Sequence, residues 1–332
     1  MPIVSETTLY PLRFEPIFQY RLWGGRRLSN LLSAPLPDGR VGEAWILSDR
    51  DDHPSHVANG ALKGQTLGEV MEQSQEQLMG RLALRFKRFP LLLKFLDVSK
   101  MLSVQVHPSD EHPELIPAGE SSKTEAWVVL GAQKGSRIYA GLQPGTTQTG
   151  LRSALASGEI AERLLAIDPK RGDAIFIPAG TVHTLGDNVV VFEVQQNSDV
   201  TFRLYDWGHI DSKTGQPRPL QVDRAFASID FEGSTGGLVM PIIEATAPVV
   251  RERLFDCDHF RLWRLYGVAP FSVGDKGVPR VLVCIQGYGH VEHNNFRYAV
   301  GKGDVWLLPA EIGVCAFLPG EEVTLLEIAI PA

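Results

Sequence analysis

Residues 171–179 read RGDAIFIPA, and residues 302–310 read KGDVWLLPA. Both run basic residue, glycine, aspartate, four apolar residues, proline, alanine. A Gly-Asp pair is turn chemistry: glycine accepts a left-handed backbone, and an aspartate side chain bonds back to nearby main chain. Four apolar residues suit a buried strand, and proline stops it because it cannot donate to a ladder. The same device found twice implies two related β-domains. Continued in register, the first copy reaches His183 where the second reaches Val314. One copy has a potential ligand where the other has an aliphatic residue, so chemistry is expected in the first half.

Outward from the repeat, short apolar runs alternate with Gly, Pro and Asp turns. They include WILSD (45–49), LLLKFLDV (91–98), LSVQVH (102–107), AWVVLG (126–131), NVVVFEVQ (188–195), VTFRLYDW (200–207) and RVLVCIQG (280–287). Many short strands at such spacing predict a mainly β chain built as sandwiches or barrels. Two stretches show helical spacing instead. Residues 66–86 open on a capping box, Thr66 with Glu69, and residues 147–166 follow a similar pattern. Residues 231–248, FEGSTGGLVMPIIEATAP, lose periodicity and gain glycine and proline. The domain boundary is placed there, giving 1–235 and 236–332.

The chain has 332 residues, 44% of them hydrophobic, which is ample for one large or two modest cores. A net charge of -7 argues against nucleic acid or an anionic membrane as partner, though a local basic pocket can still hold a small anion. Three scattered cysteines, Cys257, Cys284 and Cys315, make no disulfide framework and suit a reducing compartment. The opening MPIVSETTLYPL has neither the basic nor the apolar region of a signal peptide. The most apolar stretch, FPLLLKFL (89–96), is too short to span a bilayer and carries Lys94. A cytoplasmic protein, monomer or homodimer, is expected.

Residues 103–113 read SVQVHPSDEHP. In a strand Ser103, Gln105 and His107 share one face, while Leu102, Val104 and Val106 take the other. Glu125 opens another apolar run, and His183 follows the Pro178 turn. Two imidazoles, a carboxylate and an amide oxygen form a set that suits zinc and also iron, manganese or cobalt, the amide being the least usual ligand. Each residue has a plain reading as well. A strand histidine is ordinarily a surface or hydrogen-bonded group, Glu125 serves as an ion-pair partner, and His183 caps a turn. The seven other histidines show no comparable setting.

The stretches LLLKFLDVSKMLSVQVHP, KTEAWVVL, GDAIFIPAGTVHTLG and VFEVQQNSDVTFRLYDWG together resemble the type I phosphomannose isomerases of the cupin superfamily, in their short bacterial form. PIFQYRLWGGRRL and GEAWILSD resemble that family too. The resemblance implies two cupin-type β-barrels, or jelly rolls, with a few helical insertions. Residues 1–235 would be the catalytic barrel and 236–332 a degenerate one without ligands. It implies one Zn2+ on Gln105, His107, Glu125 and His183. It places Lys94, Ser103 and Lys123 around a sugar phosphate, with Arg203, Glu193 and Lys123 as catalytic groups. Strand alternation agrees in part, setting Thr201, Arg203 and Tyr205 on one face. Lys94 otherwise reads as a charge guarding a strand edge, and Arg203 as a partner of Asp199 or Asp206. Two positions depart from the family pattern: His209 stands where arginine is usual after Asp206-Trp207-Gly208, and Thr124 where proline is common. The reaction implied is the interconversion of mannose 6-phosphate and fructose 6-phosphate through a cis-enediol. The alternatives are a non-catalytic, metal-containing sugar-binding cupin, an isomerase of another sugar, phosphorylated or not, and a dioxygenase cupin.

Overall fold

The two Gly-Asp turns close matching sets of hydrogen bonds. In the first, Gly172 (φ 93°) donates to the Val129 carbonyl at 2.8 Å, and the Val129 amide donates to the Asp173 carbonyl at 2.9 Å. In the second, Gly303 (φ 87°) donates to the Cys284 carbonyl at 2.8 Å, and the Cys284 amide donates to the Asp304 carbonyl at 3.0 Å. The Asp173 and Asp304 carboxylates accept from the amides of Lys170 and Gly301, each at 2.8 Å. Each turn launches a buried strand, Ala174–Ile177 or Val305–Leu308.

The computed structural model describes residues 8–233 and 236–332. It is mainly β, with sheets of seven, five, seven and four strands. In the first half, Val189–Gln196 lies between Glu125–Ala132 and Leu91–Val98 at the middle of a seven-stranded sheet. Facing it is a five-stranded sheet in which Val104–Val106 lies between His183–Leu185 and Phe202–Tyr205.

Alternating side chains make the sheets into layers. Leu96, Val98, Trp127, Val129 and Val191 face Ile138, Ala140 and Leu185 of the five-stranded sheet. Leu93, Phe95, Phe192 and Val194 point the other way and meet Leu262, Val283, Leu307 and Leu326 of the second seven-stranded sheet. That sheet's opposite face, with Leu282, Cys284, Trp306 and Leu325, packs on Val273, Val291 and Phe317 of the four-stranded sheet. Burial on both faces explains why the central strands read as nearly continuous apolar runs.

The capping box is present: the Glu69 amide donates to Thr66 Oγ1 at 3.1 Å, and the Thr66 amide donates to Glu69 Oε2 at 2.7 Å. The helix it opens, Leu67–Met79, is shorter than the sequence periodicity predicts and stops at Gly80 (φ 56°). The second helix also ends early, running Gln148–Ser157 with Gly158 (φ 78°) as a left-handed cap. Beyond it Leu164–Ile167 pairs into the five-stranded sheet, so ladder hydrogen bonds override the helical pattern.

The halves also exchange edges. Leu12–Arg13 pairs with Val305–Leu308 of the second half, and Gly237–Val239 pairs with Ala174–Ile177 of the first. The predicted boundary falls at Thr235, outside the described residues. The three cysteines are free. Among the described residues, no helix is long and apolar enough to cross a membrane.

Candidate active site

Antiparallel register brings the sequence-distant groups together. Gln105 lies opposite His183 on one neighbouring strand and opposite Arg203 on the other. Val104 and Val106 point away into an apolar cluster, as alternation predicts. Glu125 comes from the facing sheet, where it opens its strand beside Gln195. His107 follows immediately after the strand that carries Gln105.

His107 Nδ1 lies 2.8 Å from the Val200 carbonyl, and His183 Nδ1 2.8 Å from the Thr181 carbonyl. A carbonyl can only accept, so both rings carry their proton on Nδ1 and keep a bare lone pair on Nε2. Those Nε2 atoms lie 3.3 Å from Glu125 Oε2 and 3.3 Å from Glu125 Oε1, respectively. Burial, then the nearby Lys123 charge, pushes His107 down to about 3. Burial lowers His183 as well. Burial opposes the Glu125 charge, but Lys123 holds its carboxyl well below the usual range. Apart from the ion pair with Lys123 at 2.8 Å, the Glu125 oxygens have no hydrogen-bond donor among the described residues. Two neutral imidazole lone pairs and an ionised carboxylate, with ligand atoms within 4.8 Å of one another, suit a divalent cation. Gln105 presents its amide nitrogen, 3.1 Å from His183 Nε2, and its Oε1 lies 3.3 Å from Ser103 Oγ. It joins as an oxygen ligand only with the amide turned over. Lys123 Nζ lies 3.2 Å from His107 Nε2, so a cation held there takes the place of that donor too.

A cavity of about 430 Å³ opens from this cluster, lined also by Lys94, Ser103, Glu193 and Arg203. Lys94 is on a central strand and only 3% exposed, which removes the edge-guard reading. Its Nζ lies 3.6 Å from Glu193, 3.5 Å from Asp199 and 4.7 Å from the Trp45 ring centre. Glu193 accepts from Trp127 Nε1 at 2.9 Å. Burial first, then the Glu125 charge, pushes its carboxyl up to about 7 against the pull of Lys94 and Lys123. Arg203 donates from Nε to Ser103 Oγ at 3.2 Å and from Nη1 to the Pro219 carbonyl at 2.8 Å. The ion pair weighed for it does not form. Asp206 takes Arg218 instead, at 2.9 Å, and Asp199 takes Lys94. Tyr205 does not share the Arg203 face, because a bulge between Arg203 and Tyr205 turns it into the apolar cluster behind the sheet.

Residues 12–127 match the family model of the phosphomannose isomerase type I catalytic domain. Over 309 residues the chain is 35% identical to mannose-6-phosphate isomerase ManA of Bacillus subtilis (strain 168), covering 92% of this chain and 95% of that one. The chain belongs to the type I phosphomannose isomerase family. A mannose-6-phosphate isomerase of Streptococcus mutans serotype c is 31% identical over 307 residues, covering 91% of this chain and 93% of that one. The crystal structure of the mannose 6-phosphate isomerase from Bacillus subtilis matches with a TM-score of 0.88 at 29% identity, covering 96% of this chain and 99% of that one.

In this phosphomannose isomerase the two halves differ in what fills them. Val314, the counterpart of His183 in the repeat, is 50% exposed and does not turn inward. The interior of the second half holds Trp263, Cys284, Trp306 and Phe317. Sequence reasoning missed several lining residues. Arg21 holds Glu43 through Nε at 2.7 Å and Nη2 at 3.1 Å, and Trp45 Nε1 donates to the same carboxylate at 2.6 Å. Tyr20, whose hydroxyl lies 3.1 Å from Asp211, and Arg218 stand at the rim. The signal for Glu43 and Trp45 was their spacing of two in GEAWILSD, which sets both on one strand face. Thr124 uses the freedom that proline lacks: its amide donates to Gln196 Oε1 at 2.9 Å. His209 Nδ1 lies 3.7 Å from Asp206.

Proposed function

We propose that this family member interconverts mannose 6-phosphate and fructose 6-phosphate. The convergence of two imidazole lone pairs and one carboxylate on a cavity lined with lysines, arginine and an acid carries this reading. His107, Glu125 and His183, with Gln105 after an amide turn, would hold one divalent ion, and the nitrogen-oxygen donor set favours zinc. When bound, such an ion polarises the sugar carbonyl and neighbouring hydroxyl, contributing on the order of several kcal/mol to enediolate stability.

The chain's own groups do the rest. Glu193, with a carboxyl poised at about 7, takes the proton from C2 and returns it to C1 of the cis-enediol. Arg203 stabilises negative charge developing on the sugar oxygens, and Lys123, kept charged by Glu125, serves as the acid beside it. Lys94, Ser103 and Lys123 receive the phosphate and hydroxyl groups. A module that only bound sugar would have no use for an acid titrating near neutrality in its cavity. The catalytic work is assigned to 1–235, with 236–332 as its packing partner. The setting is the cytoplasm, as a monomer or homodimer.

The decisive measurement is metal analysis of the purified protein, followed by a coupled assay on mannose 6-phosphate with and without chelator. One ion per chain and chelator-sensitive turnover are expected, with free mannose far poorer. Full turnover in metal-free protein, or none in fully loaded protein, refutes the reading.

A further inference from the structure

A second cavity, of about 480 Å³, lies where the two halves meet and shares no lining residue with the first. Val129, Val190 and Ile285 give it apolar walls. Arg27, Arg171, Arg264 and Lys302 also line it, and none of its described lining residues is acidic. Two of these charges are offset, Arg27 by Asp97 at 2.7 Å and Arg264 by Glu252 at 2.6 Å. The other two are not. Arg171 reaches the amide oxygen of Gln286 at 3.1 Å, and Lys302 reaches the Asn30 carbonyl at 3.0 Å. Neither has a carboxylate in ion-pair reach among the described residues.

Arg171 and Lys302 head the two copies of the repeat. Each half therefore delivers one uncompensated cation to the same crevice, on the turns already described. Both turns are fixed in place. Arg264 Nη1 donates to the Gly172 carbonyl at 2.7 Å, and a side chain at Gly303 would fall 2.2 Å from the Leu31 carbonyl oxygen. In a chain of net charge -7, this local concentration of positive charge is out of keeping with the whole. An anion entering the crevice would face a lining that carries both cations, and the planar guanidinium of Arg171 matches a phosphate oxygen pair. The apolar walls suit a compact apolar body behind the charge.

We infer that this crevice is a second ligand site, taking a small phosphate monoester with a compact apolar body. Arg171 and Lys302 grip the phosphate, and Val129, Val190 and Ile285 cover the body.

Phenyl phosphate is the probe, titrated calorimetrically into the intact protein and into an Arg171→Ala/Lys302→Ala variant. Both side chains are exposed and outside the active-site cavity, so folding and basal turnover should be unchanged. The wild type should show a saturable site that weakens at least tenfold in the variant and weakens with added salt, while phenol binds neither protein. A crystal soaked with 4-bromophenyl phosphate should give an anomalous bromine peak in the crevice. Identical isotherms for the two proteins, or a bromine peak confined to the cavity of His107 and His183, overturn the inference. Both readouts report binding rather than turnover, so they stand whether or not the isomerase reading holds.

Discussion

Glu193 enters the folded state with its carboxyl raised from an ordinary 4.5 to about 7, chiefly by burial. Between those values the folded chain binds a proton that the unfolded chain has released. Its contribution to stability is therefore full below about 4.5 and is lost as pH rises through about 7. Glu193→Gln lacks that loss. The melting temperature of the variant minus that of the wild type should widen by several degrees from pH 4.5 to 7 and then level off; a gap constant with pH would place Glu193 in an ordinary, solvated setting. His183→Ala removes a fully buried lone pair from the cation site, and elemental analysis should find metal well below one ion per chain. An unchanged metal content would remove His183 from the ligand set. Arg203 is partly buried in the cavity wall yet lacks a carboxylate partner among the described residues. Arg203→Ala should keep its fold and metal and lose roughly 10²-fold or more in kcat, the scale of one preorganised charge donor. A kcat near that of the wild type would make Arg203 purely structural.

At the scale of elements, end signals were legible where they were local. Thr66 and Glu69 sit three residues apart, and their reciprocal bonds need nothing but each other. Thr66→Ala should cost about 1 kcal/mol, read as a drop of roughly 2–4 °C in melting temperature with turnover unchanged. A loss within error would mean that tertiary packing alone holds this helix. Helix extents were less legible. Gly158 ends one helix where the apolar pattern continues, and the following residues gain ladder partners instead. The Arg203–Tyr205 bulge was invisible for a related reason. Strict alternation assumes an even ladder, and only the partner strand shows that an extra residue is accommodated.

For the whole molecule, the core between the two seven-stranded sheets is shared by both halves. Residues 1–235 expressed alone would expose Leu93, Phe95, Phe192 and Val194 on one sheet face, and would lose the Gly237–Val239 edge strand. That fragment should aggregate, as light scattering would show; a monodisperse, folded fragment would mean that the second half is dispensable. The sequence by itself determined the β character, the duplicated Gly-Asp device, the first capping box and which copy of the repeat leads to a histidine. Those features rest on nearest neighbours and on a side-chain period of two, which the chain carries locally. Only the tertiary structure decided that Gln105 faces His183, that Asp206 takes Arg218 and leaves Arg203 without a carboxylate partner among the described residues, that Arg21 and Glu43 line the cavity, and that the two repeat turns share a crevice. Those depend on strand register and sheet stacking, which bring together residues too far apart along the chain for periodicity to relate them.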